Sequence, residues 1–287
     1  MRIDLHVHTK TCSDGNLSIE EIFKEADKRG INLISITDHD SVDCQERAIT
    51  LAHSYNISYI SGIELNVTFE YLESKSVSLD FLGYRYDIHN KELIDKLQLI
   101  KKHRDQRAHE ILEKLNKELI RENIKPLTQT DLHTIEQSVD GVFGRPHIAN
   151  YLIQKGIVKD KQEAFDKYLV KCDVPKYPLC LTEAARLIRN AGGILVHAHP
   201  NDPNGTSLIS ITHDLNEQTD IIERHMLEHI DGIECWHSRH NEVTTSHYTN
   251  FARKHGLIMT GGSDCHQKPI ILGTVEIPRY VADQFGY

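Results

Sequence analysis

The sequence predicts an α/β fold whose parallel strands are joined by crossover helices. Three observations carry that reading. In MRIDLHVHT, Ile3, Leu5 and Val7 alternate with Asp4, His6 and His8, and a period of two marks a strand. Short apolar runs and amphipathic stretches then take turns along most of the chain, as they do where helices cross over between parallel strands. Residues able to do chemistry, among them His6, His8, His39 and Glu64, fall at or near the ends of the predicted strands. Folds of this class gather their functional groups there.

Residues two apart on a strand share a face, so His6 and His8 project side by side. The polar loop from Thr9 to Gly15 follows and carries Asp14. Two imidazoles and a nearby carboxylate can chelate a divalent metal, although His-x-His alone also fits a strand with two surface histidines. A helix starts after Ser18, where Ser18 and Glu21 can form a capping box with Leu17 and Ile22 as its hydrophobic staple. Gly30 ends that helix. Ile31 to Thr37 is the next strand and runs into Asp38-His39-Asp40. A helix near Asp43 to His53 and a strand near Tyr59 to Val67, carrying Glu64, repeat the pattern. Val77 to Tyr84 is a further apolar stretch and carries Asp80.

The rhythm breaks from Asp87 to Pro178. Leu93, Leu97, Ile100, Ile111, Leu115 and Leu119 recur at helical spacing through the charged stretch Lys91 to Asn123. Helical text continues at Ile148 to Lys155 and Lys161 to Val170, without a strand. Residues 87–178 read as a mainly helical insertion over a barrel mouth, with 1–86 and 179–287 forming the barrel; ordinary outer helices with long loops are the other reading. Strand and helix then alternate again. Thr182 can cap a helix over Glu183 to Ala191, and the strand Ile194 to Ala198 ends in His197-Ala198-His199. A helix near Ile221 to His229 leads to the strand Gly232 to Trp236. A last helix, Val243 to His255, precedes the strand Leu257 to Thr260, which ends in GGSDCH. That makes about seven strands.

The 287 residues carry a formal net charge of -9, 19 histidines and one tryptophan. The acidic balance argues against binding long duplex nucleic acid, which needs basic surface. A small anionic substrate stays open if metal ions reverse the charge locally. The six cysteines show no CxxC spacing and read as reduced thiols. No run approaches the roughly 20 apolar residues of a membrane span, so the expected setting is cytoplasmic.

In order, the fragments are DLHVHT, CSDG, ITDHD, GIE, DFLGY, GRPHIA, VHAHP and GGSDCH. This ordered set resembles the PHP (polymerase and histidinol phosphatase) family of metal-dependent phosphoesterases, and within it the stand-alone bacterial branch acting on nucleotides or short RNA. The resemblance spans almost the whole chain. It implies a distorted (β/α)7 barrel holding two or three divalent ions: Mn, Fe or Zn, with Mg also possible. It implies His6, His8, Asp14, His39, Glu64, His199, Asp264 and His266 as ligands. His197 stands where relatives are aliphatic and reads as second-layer or core. Asp80 stands where relatives usually carry a histidine ligand. As a ligand it would favour Mn, Fe or Mg over Zn; otherwise the third site is weakened or lost.

The resemblance further implies phosphate contacts by Arg145 and His147, for which a salt bridge holding the insertion is the alternative. Arg239 and His240 would meet substrate, and Asp40 and His240 would serve in catalysis. Asp4, Thr37, Asp38 and Asp40 are candidates to anchor the ligands. The expected function is hydrolysis of phosphate esters of small nucleotides: a nucleoside monophosphate, a 3',5'-bisphosphate nucleotide or the 5' end of short RNA. A histidinol-phosphate-type phosphatase and a non-catalytic PHP module are the alternatives.

Overall fold

The computed structural model describes residues 1–72, 75–137, 145–266 and 269–287. They divide into two units: Met1–Asp95 with Leu179–Tyr287, and Lys96–Pro178.

The first unit holds eight strands among the described residues. Strands β1 (Ile3–Asp4), β2 (Leu33–Ile34) and β3 (Ser58–Tyr59) form a short parallel sheet. A second sheet runs in the order β4 (Gly62–Leu72), β5 (Lys75–Tyr84), β6 (Ile194–His197), β7 (Gly232–His237), β8 (Ile258–Gly262). The expected parallel arrangement holds for β6, β7 and β8, whereas β5 is antiparallel to both neighbours. Chain length explains this: two residues separate β4 from β5, and a parallel return needs a crossover of a dozen or more.

The two sheets do not close through continuous ladders. Single parallel bridges join them, Val7 to Cys265 and His39 to Glu64. The opening strand is also shorter than its alternation predicts. Past Asp4 the backbone bonds to both sides in turn: the Leu5 N–H donates to Gly261 O, the Thr37 N–H to Val7 O and the Asp264 N–H to His6 O.

Helix α1 (Ile19–Arg29) forms with the expected capping box, Ser18 to Glu21, and ends at Gly30 in the left-handed conformation. Its buried Ile19, Ile22, Phe23 and Ala26 join Ala48 and Leu51 of α2 (Gln45–Ser54) and Val7, Ile34 and Ile36 in one core. A second core gathers Ile3, Leu5, Leu33, Leu82, Tyr84 and Val196. Helix α3 (Lys91–Arg121) begins in this unit and continues into the other; α4 (Gln129–Gln137), α5 (Arg145–Gln154) and α6 (Lys161–Ala164) follow there. Helix α7 (Leu181–Asn190) starts one residue before the predicted cap Thr182, after Cys180. Helix α8 (Leu215–His225) starts earlier than expected because Asp214 accepts from the backbone N–H groups of Asn216 and Glu217. Helix α9 (Glu242–His255) and the short α10 (Tyr280–Asp283) complete the unit.

The cysteines depart from the reduced reading. Cys12 and Cys44 form a disulfide, with Cα atoms 6.1 Å apart, while Cys172, Cys180, Cys235 and Cys265 are free. A separation of 32 residues hides this pair in the sequence. The fold brings the loop after β1 against the start of α2.

In the second unit, Leu115 and Leu119 of α3, Leu132 and Ile135 of α4, Ile148 and Leu152 of α5 and Tyr168 form the core. Its described residues contain helix and no strand. No helix among the described residues is long and apolar enough to cross a membrane.

Candidate metal centre

Eight side chains converge in the first unit: seven follow β1, β2, β6 or β8, and Glu64, fully buried, stands on β4 among them. Its Oε1 lies 2.9 Å from His199 Nε2 and 3.4 Å from His6 Nε2. Its Oε2 lies 3.2 Å from His8 Nε2 and 3.1 Å from His39 Nδ1. Asp264 Oδ1 lies 3.4 Å from His6 Nε2, 3.3 Å from His8 Nε2 and 3.0 Å from His266 Nδ1. Asp14 Oδ1 is 3.3 Å from His266 Nε2 and 3.8 Å from His39 Nε2.

Local structure positions these groups. Gly262 lies directly against His6, where an added Cβ would fall 2.3 Å from His6 Cβ, so only glycine lets β8 approach so closely. Asp40, His199 and Asp264 have φ of 47°, 24° and 53°, in the left-handed region that side chains rarely adopt. Strained backbone at three candidate-site residues is the pattern expected where surrounding structure fixes a functional geometry.

The donor set fits divalent metal. His6 Nε2 and His8 Nε2 face each other at 3.1 Å, and one buried oxygen of each carboxylate, Glu64 Oε2 and Asp264 Oδ1, has no hydrogen-bond donor among the described residues. Among the eight converging residues, three groups of donor atoms lie mutually within 4.8 Å: His8, Asp14, His39 and His266; His6, Glu64 and His199; and His6, His8 and Asp264. Mixed imidazole and carboxylate donors suit a divalent metal, and each oxygen of Glu64 faces two rings. With protons alone, burial disfavours charge on His6, but Glu234, Glu64 and Asp264 outweigh it and raise the ring well above the ordinary imidazole range. His199 is likewise buried, and Glu64 raises it to about 9.

The other candidates are not members of those groups, although Asp40 and Arg239 bond directly to Glu64 and Asp264. Asp80 accepts from Asn66 Nδ2 at 2.6 Å and from the Thr206 hydroxyl. Asp40 donates its N–H to Glu64 O at 2.8 Å and accepts from the Asn66 N–H at 3.2 Å. Arg239 grips Asp202 with two hydrogen bonds of 2.6 Å and reaches Asp264 Oδ2 at 2.6 Å. His240 Nδ1 lies 3.1 Å from Cys235 O, and burial beside His237 lowers the ring to about 4, so it is neutral. Arg145 and His147 lie on α5 of the second unit, where Arg145 pairs with Asp173 at 2.7 Å. Gly144 of the GRPH motif lies outside the described residues.

Asp4, Thr37 and Asp38 hold backbone rather than ligand rings. Asp4 accepts from the N–H groups of Ser263 and Gly273, Thr37 Oγ1 from Val7, and Asp38 from the N–H and hydroxyl of Thr9. Burial raises Asp38 to about 6. Sequence reasoning passed over Glu234 and Asp202, both fully buried. Glu234 left one signal, a lone carboxylate within the apolar run GIECW, and buried charge needs a partner.

The PHP domain model matches residues 4–171. A 5'-3' exoribonuclease of Haemophilus influenzae is 32% identical over 206 residues, which is 69% of each chain. A 3',5'-nucleoside bisphosphate phosphatase of Chromobacterium violaceum is 28% identical over 272 residues, 92% of this chain and 87% of that one. A solved structure from Bifidobacterium adolescentis, provisionally described as a metal-dependent phosphoesterase, superposes with a TM-score of 0.77 at 26% identity, covering 98% of this chain and 94% of the other. The histidine and carboxylate cluster and a match over more than half the chain agree, and the protein belongs to the PHP family.

Proposed function

We propose that the chain hydrolyses phosphate esters of small nucleotides: a nucleoside monophosphate, a 3',5'-bisphosphate nucleotide or the 5' end of a short RNA. The observation that carries this is Glu64 set among His6, His8, His39 and His199, a cluster whose donors suit the metal ions that phosphoryl chemistry uses. The relatives' names supply the nucleotide class. The two sheets, bridged at Val7 and at His39, support a distorted (β/α)7 barrel, with residues 87–178 as its helical insertion.

Two or three ions of Mn, Fe or Zn held by the eight converging residues would supply an activated water nucleophile and neutralise charge on the phosphoryl oxygens. The protein's own groups do the rest. Asp40, anchored to the Glu64 backbone, is the proposed proton donor to the leaving oxygen. His240, neutral and holding Cys235 O through Nδ1, presents an Nε2 that accepts a hydrogen bond from substrate. Arg239, half-exposed, is placed to answer a phosphate while its fork on Asp202 keeps it oriented. Arg145 and His147 are proposed phosphate contacts of the second unit, and Arg145 must give up Asp173 to serve. Asp80, tied to Asn66 and Thr206, is proposed as a ligand of a third ion only if it leaves those partners. A nucleotide substrate implies a cytoplasmic setting.

His39→Ala removes a nitrogen beside Glu64 and Asp14 from a half-buried site. Turnover on nucleoside bisphosphates and short 5'-phosphorylated RNA is expected to vanish while circular dichroism stays that of the parent. Undiminished phosphate release by this variant would sink the metal-centre reading. Elemental analysis of the parent, paired with release from each nucleotide class, identifies both ion and substrate.

A further inference from the structure

We propose that Glu234 is a positioning residue of the centre, fixing the ring of one ligand and the backbone of another; this rests on the metal-centre reading above. Strand β7 supplies none of the eight converging side chains, yet Glu234 stands on it directly behind them. Its carboxylate is fully buried. Oε1 and Oε2 lie 3.1 and 3.3 Å from His6 Nδ1, and Oε2 accepts the His199 backbone N–H at 2.8 Å.

Both contacts act on ligand geometry. An imidazole donates from one nitrogen and keeps a bare lone pair on the other, and the partner of the first decides which. A carboxylate on Nδ1 holds the proton there. Once the second proton is given up to a metal, Nε2 is the nitrogen left bare, facing Glu64, His8 and Asp264. His199 turns through φ 24°, and Glu234 takes the N–H at that turn. The His199 ring is thereby held with Nε2 2.9 Å from Glu64 Oε1. One carboxylate therefore orients two rings that face the same oxygen of Glu64.

The chemistry separates this role from packing. The site presents two donors, His6 Nδ1–H and the His199 N–H, and a carboxylate offers an acceptor to each. An amide of the same shape has one acceptor oxygen and turns its NH2 on a donor. A glutamine would fill the space and fail at the task, whereas a purely space-filling role would tolerate it.

The test uses the full-length protein and zinc. Apo parent and Glu234→Gln are titrated with zinc against a competing chelator. The variant is expected to bind roughly ten- to a hundredfold more weakly, the usual cost of losing such a partner. In turnover at saturating zinc, kcat falls and KM for the nucleotide holds, since Glu234 touches no substrate. Nitrogen-15 spectra of the zinc-loaded parent, which no misfolded variant can obscure, are expected to show His6 protonated on Nδ1. Parental zinc affinity in Glu234→Gln, or a His6 proton on Nε2 in the loaded parent, overturns the role of Glu234 and leaves the metal centre standing. A parent that takes up no zinc, manganese or iron removes the centre and this inference with it.

Discussion

His197 shows how much one residue's environment decides. In VHAHP it looks like a partner of His199, and the sequence leaves open whether it supports the centre or fills the core. Its ring stacks on Phe81 with centroids 4.9 Å apart, and neither nitrogen has a hydrogen-bond partner among the described residues. Burial, and then His199, push its pKa to about 3. An unfolded histidine titrates near 6.5, so between these values the unfolded chain binds the extra proton. The contribution is full above about pH 6.5 and is lost as pH falls towards 3; at pH 5 it costs on the order of 2 kcal/mol. Cations held by His199 would push the same way. His197→Leu is expected to narrow the stability gap between pH 7.5 and pH 5 by about that amount, read from urea unfolding with chelator present. A gap as wide as the parent's would mean that His197 finds a proton-accepting partner. Side-chain identity was readable here, and burial without a partner was not.

At the scale of elements, legibility follows sequence distance. The capping box of α1 is written in four consecutive residues and forms as read. The antiparallel return of β5 is not announced by its own composition, because Val77 to Tyr84 is equally apolar in either direction. It follows from the short link to β4. The histidines and carboxylates that converge were legible because short motifs carry them, most of them just past a strand. Glu234 and Asp202 were not, since their partners His6 and Arg239 lie 228 and 37 residues away. The Cys12–Cys44 bond belongs to the same class of hidden contacts. It joins the Asp14 loop to the start of α2 and closes a loop of 32 residues. By chain entropy, such a closure stabilises by roughly 3–4 kcal/mol. Cys12→Ser is therefore expected to lower the urea midpoint, and dithiothreitol to lower that of the parent alone. A midpoint unmoved in both cases would show that the bond contributes nothing to the folded state.

Over the whole molecule, the acidic balance and the histidine count turn out to be linked. A chain of net charge -9 buries Glu64, Glu234 and Asp264 within reach of one another's histidine partners. Unpaired, such carboxylates would be costly to bury. Without metal the balance is kept by protons on His6 and His266, both raised well above the ordinary range, and on His199, raised to about 9. Ligation requires neutral rings, so loading must expel those protons. Manganese added at pH 7 to chelator-treated protein is therefore expected to acidify a weakly buffered solution by about two to three protons per chain. The sign sets the pH dependence: affinity weakens as pH falls below 9, because the proton competes more strongly for the same nitrogens. Folding shares the linkage, since ions that bind only the folded chain add about 2.7 kcal/mol at a hundredfold excess over Kd. The melting temperature should climb with manganese concentration, fall back with chelator, and climb less at pH 6 than at pH 8. Equal climbs at the two pH values, with no proton released, would mean that the ions settle away from His6 and His199.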